Sequence, residues 1–90
     1  MRYEIWQDRA TGERYLVGVE SGPAPVVCAR LSPSADPRQA LEAPRIRRPS
    51  EAALARMLRR PDAYRREYTT DGAGRAVLAE DPAARPWEPR

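Results

Sequence analysis

Eight of the sixteen arginines lie between Pro44 and Glu67, in the stretch PRIRRPSEAALARMLRRPDAYRRE, against only three acidic residues. Arg45, Arg47 and Arg48 come first, Arg56, Arg59 and Arg60 fall in the middle, and Arg65 and Arg66 close the run. A planar guanidinium donates several hydrogen bonds in a fixed fork that matches a carboxylate or a phosphate, so clustered arginines read as a surface for an anionic partner. The formal charge of the whole chain is +3, a small excess for a dedicated nucleic-acid binder. The concentration into one segment is therefore more informative than the total. All sixteen basic residues are Arg and none is Lys, a bias that GC-rich coding also produces.

Other chemistry is restricted by absence. The chain has no His and no Lys, which removes the imidazole base, the Ser-His and Cys-His pairs, the Schiff base and the phosphate-loop lysine. A single Cys28 cannot build a structural zinc site, and it reads as a small core residue with no neighbour that would lower its pKa. Glu4, Asp8 and Asp71 remain as acid or base candidates and read as solvated charges or turn formers. No cofactor, no metal and no catalytic residue is expected.

Ninety residues suggest one domain that buries about 60% of its unfolded surface. With no Phe and a core of Ala, Val and few large side chains, such a domain is marginal, which favours self-association or a partner. The free Cys28, the N-terminus without an apolar core and the lack of any membrane-length apolar run point to the cytoplasm.

The elements that must carry the arginines follow from spacing. Met1–Asp8 and Arg14–Glu20 alternate as the arms of a hairpin. A three-residue loop, Ala10-Thr11-Gly12, would pair Ile5 with Val17 and align the charge pairs Arg2 with Glu20, Asp8 with Arg14 and Arg9 with Glu13. That register sets Trp6 opposite Leu16 on the charged face, either covered by the chain's own tail, anchored there by Trp87, or exposed as an apolar interface. Val26–Leu31 reads as a third strand. Asp36 and Pro37 can start a short helical turn ending near Ala43. Ser50 caps a helix in which Leu54, Met57 and Leu58 oppose Arg56, Arg59 and Arg60. Pro61 kinks it, and Tyr64 and Tyr68 continue the helical spacing. Arg75–Glu80 can form a C-terminal strand, and Tyr68–Thr70 either joins it as a partner strand or closes the helix.

The expected fold is α+β: a small antiparallel three-stranded sheet, made of the hairpin plus one strand, packed by a kinked amphipathic helix. Residues 1–80 form the domain and 81–90 an extended proline-rich tail. The expected function is a non-enzymatic binding module that offers its arginine helix face to an acidic protein partner. The alternative is a nucleic-acid-binding protein that contacts the phosphate backbone through the same arginines. A hairpin and strand followed by a helix resembles small bacterial regulators, including antitoxin-like proteins, in topology alone.

Overall fold

The computed structural model describes residues 1–22 and 24–79. The segment 81–90, with Trp87, and the residue before it lie outside the described residues. Five strands, β1 (Arg2–Asp8), β2 (Arg14–Val19), β3 (Pro25–Arg30), β4 (Tyr64–Thr70) and β5 (Ala76–Leu78), form one antiparallel sheet. Their order is β3-β2-β1-β4-β5, so the first strand is the central one. Two helices, α1 (Pro37–Glu42) and α2 (Glu51–Arg59), complete the α+β fold. Among the described residues no helix is long and apolar enough to cross a membrane.

The hairpin forms with a register one residue away from the expected one, pairing Ile5 with Leu16 and Trp6 with Tyr15. The cause is Asp8. Its Oδ1 accepts the backbone N–H groups of Ala10 at 2.8 Å and Thr11 at 3.3 Å, and Asp8 N donates to the Glu13 carbonyl at 2.8 Å. This side-chain turn draws Arg9 into the loop, which becomes four residues long. Gly12 keeps its expected left-handed conformation, with φ +77°.

A one-residue slip moves side chains between faces, and the three aligned charge pairs are lost. Trp6 and Leu16 occupy opposite faces, and both are interior, 1% and 2% exposed. They cannot make the cross-strand pair that the shorter loop implied. One face packs Trp6, Tyr15, Val17, Cys28 and Tyr64 against Met57 of α2. The other packs Ile5 and Leu16 against Leu41 of α1. With a helix on each side, β1 and β2 are buried almost continuously instead of alternating with solvent.

Both helices begin as their caps dictate. Asp36 Oδ1 accepts from Arg38 N at 2.9 Å with Pro37 in the first turn, and Ser50 Oγ accepts from Ala53 N at 3.2 Å. Beyond α2 the expected helical continuation gives way to a 3-10 turn, Pro61–Ala63, and then β4. Pro61 stops the helix, and the aromatic and β-branched Tyr64, Tyr68, Thr69 and Thr70 suit a strand. This strand fills the open side of β1, and β5 pairs with it in turn. The sheet therefore has five strands, not three.

Tyr64 and Tyr68 still serve the core, on different faces. The β1–β4 register shifts between Ile5, opposite Tyr68, and Trp6, opposite Arg66. Glu67 is the extra residue of this bulge, which turns Tyr68 toward Ile5 while Tyr64 stays with Trp6. Both sheet edges are blunted: Ser50 N donates to the Cys28 carbonyl on β3 at 2.8 Å, and Glu42 accepts from Ala76 N on β5 at 2.8 Å.

Candidate functional site

The eight arginines of the central segment do not form one surface. Arg56 lies on the flank of α2 and reaches down to the sheet. Its Nη1 bonds the Asp8 carboxylate and donates to the Tyr64 hydroxyl at 2.9 Å, with the guanidinium 5.1 Å from the Tyr64 ring centroid. Arg66, on β4, holds Glu4 in a two-pronged pair, Nε to Oε1 at 3.2 Å and Nη2 to Oε2 at 3.1 Å. Arg60 is 3.6 Å from Asp62. Arg59 and Arg65 are exposed, one at the end of the helix and the other opposite Gln7.

Glu4 and Asp8 are thus structural: Glu4 is not the solvated charge expected, while Asp8 forms the hairpin turn. They are 3% and 4% exposed. Glu4 also accepts from Trp6 Nε1 at 2.9 Å. Burial pushes the Asp8 carboxyl up, but the bonds from Ala10 N–H, Arg56 and Thr11 N–H outweigh it and its pKa falls below the ordinary 3.8. A general acid needs the opposite shift. Asp71 is the turn former it was expected to be: its Oδ1 accepts from Ala73 N at 2.8 Å and Arg75 N at 2.9 Å, which lowers its pKa. Burial raises the Cys28 thiol to about 11, the value of an inert core thiol. Among the described residues no cluster of three or more His, Cys, Asp or Glu could hold a metal ion.

The pull of Arg56 toward Asp8 and Tyr64 also sets the roll of α2. Its inward seam is Ala53, Leu54 and Met57, and Leu58, expected inside, is exposed. The helix consequently keeps Arg59 and Arg60 outside and spends Arg56 on holding itself to the sheet.

What remains is a more localised feature. Arg45, Arg47 and Arg48 line an open cleft of about 460 Å³ whose floor is Leu16, Ala29 and Leu31, with Arg30 at its wall. Among the described residues no acidic and no aromatic residue lines it. The three loop arginines are exposed, and none has an ion-pair partner among the described residues.

Sequence explains why this loop holds its shape. Pro44 and Pro49 bracket it and fix two backbone φ angles. Ile46, between Arg45 and Arg47, packs into the cluster of Ile5, Leu16 and Leu41. Directly after Pro49, the Ser50 N–H is fastened to the Cys28 carbonyl. The loop backbone is braced by a partly buried isoleucine and two prolines, so little backbone conformational entropy is lost when a ligand arrives.

A second cavity of about 210 Å³ lies beside the cleft, lined by Thr11, Gly12, Glu13 and Arg14 of the hairpin end and by Ser32, Pro33 and Ala35. Arg30 and Leu31 line both. Arg30 Nε is 3.0 Å from Glu13 Oε2, which also accepts from the Tyr15 hydroxyl at 3.2 Å.

The structure brings Arg45, Arg47 and Arg48 to one cleft but does not join them to the helix arginines, with which the sequence pattern groups them. Sequence reasoning missed Ala29, Arg30 and Leu31 as the other wall. The pattern Pro-Arg-Ile-Arg-Arg-Pro, one apolar residue among arginines between prolines, was the available signal. No family model, curated protein or solved structure matches this chain.

Proposed function

We propose that the protein is a non-enzymatic binding module whose preorganised arginine loop, Arg45, Arg47 and Arg48, engages an acidic segment of a protein partner. The observation that carries this reading is the cleft itself: exposed guanidinium groups with no ion-pair partner among the described residues stand over an apolar floor of Ala29 and Leu31, with the buried Leu16 beneath. Carboxylates meet the fork geometry of the arginines while an aliphatic side chain of the same segment covers the floor. A single-stranded nucleic acid would gain from an aromatic stacking platform, and among the described residues the cleft lining contains none. The buried free thiol of Cys28 supports a reducing, cytoplasmic setting.

Fluorescence anisotropy with labelled hexaglutamate tests the reading. R45Q/R47Q/R48Q should weaken binding about thirtyfold, the sum expected of three rim ion pairs, with an unchanged melting temperature. The pair R59Q/R65Q removes two exposed arginines elsewhere and should leave affinity nearly intact. Equal losses in the two variants, or binding of duplex DNA but not hexaglutamate, would overturn the acidic-protein reading.

A further inference from the structure

We propose that the cleft and the hairpin-end cavity form one groove for an extended acidic segment, and that Glu13 is a built-in competitor which the ligand displaces from Arg30. This deepens the binding reading above and rests on it. Three observations lead here. The two cavities are contiguous, because Arg30 and Leu31 line both. Among the described residues the only acid lining either cavity is Glu13, and it already holds Arg30 Nε at 3.0 Å. The pair is accessible, with side chains 56% and 36% exposed, so an incoming carboxylate can exchange with it at little desolvation cost.

The arrangement sorts ligands by reach. A short acidic peptide satisfied by Arg45, Arg47 and Arg48 never meets Glu13. A longer one must cross the Arg30–Leu31 wall, where its carboxylate replaces Glu13 on the guanidinium. Glu13 then keeps the Tyr15 hydroxyl, whose pKa burial and Glu13 raise to about 12, so that hydroxyl remains a proton donor throughout the neutral range. Glu13 thereby contributes selectivity, since its negative charge at the junction opposes ligands that cannot make the exchange.

The test compares labelled hexaglutamate with labelled triglutamate on the full chain. E13Q retains a side-chain oxygen for the Tyr15 hydroxyl and removes the charge. It should tighten hexaglutamate about threefold, the size of an exposed ion-pair coupling, and leave triglutamate unchanged. In the R30Q background the E13Q gain should vanish. E20Q, which removes an exposed acid beyond the other end of β2, controls for net charge and should have no such effect on hexaglutamate. An equal gain for both peptides, a gain that persists in R30Q, a gain matched by E20Q, or no gain would each overturn the competitor role. Failure of the unmodified protein to bind either peptide would instead overturn the binding reading and this inference with it.

Discussion

Replacing Arg66 by Met should destabilise the fold severely, although Arg66 belongs to the arginine-rich segment and sits on β4, next to the edge strand β5. Its side chain is 23% exposed and that of Glu4 only 4%. Removing it deletes two charge-assisted bonds and leaves a buried carboxylate with the Trp6 N–H as its main close donor. Breaking a buried pair costs about 3–5 kcal/mol; the partial exposure of Arg66 lowers this to about 3 kcal/mol. For a domain of this size that is near half of a typical stability of 5–10 kcal/mol and corresponds to a melting-temperature drop of about 15 °C. Urea and thermal unfolding followed by circular dichroism measure it. E4Q/R66M should recover part of the loss, because a neutral amide costs less to bury unpaired than a carboxylate. A stability of R66M within about 0.5 kcal/mol of the unmodified protein, the range of ordinary surface changes, would refute the assignment of Arg66 to the interior.

Other outcomes follow from the same geometry. Asp8 has a folded pKa below 3.8, so its stabilisation is complete above that value and is lost as pH falls through the folded pKa; D8N should flatten the acid limb of stability against pH. D71N should flatten a separate part of that limb, because Asp71 is also depressed. At Gly18 an added Cβ would lie 2.6 Å from Met1 Sδ and 2.8 Å from Val27 Cγ1. Met1 can move away, but Val27 is a branched side chain on the paired strand, so G18A should cost about 1 kcal/mol in urea unfolding and lose most of that penalty in a V27A background. S50A removes the cap of α2 and should cost about 1 kcal/mol.

Local rules were legible in the residues and long-range choices were not. Asp36 with Pro37, and Ser50 before Glu51, announced both helix starts, because a cap is decided within three or four residues. The hairpin was visible, but its register hung on Asp8 capturing two loop amides, a competition that alternation of apolar residues does not report. Tyr68–Thr70 read either as a partner strand of the C-terminal strand, which the structure forms, or as a helix end, and the start of β4 was hidden because Tyr64 and Tyr68 are four apart, the spacing of a helix face. The bulge at Glu67, which reconciles that spacing with two sheet faces, exists only in the presence of β1. The arginines were adjacent in sequence but dispersed in space. After Pro49 the chain moves onto the opposite sheet face as α2, and after Pro61 it becomes a strand. Arg56 and Arg66 then meet buried acids more than forty residues away in the chain.

The central claim is that three guanidinium groups on a braced loop, and not the helix arginines, receive the acidic partner. Two-dimensional NMR of the arginine Nε–Hε signals during titration with hexaglutamate reads each side chain separately. The account predicts saturable shifts at Arg45, Arg47 and Arg48 with Arg56 and Arg66 unmoved. Shifts confined to Arg59, Arg60 and Arg65, or no shift at any arginine, would contradict it.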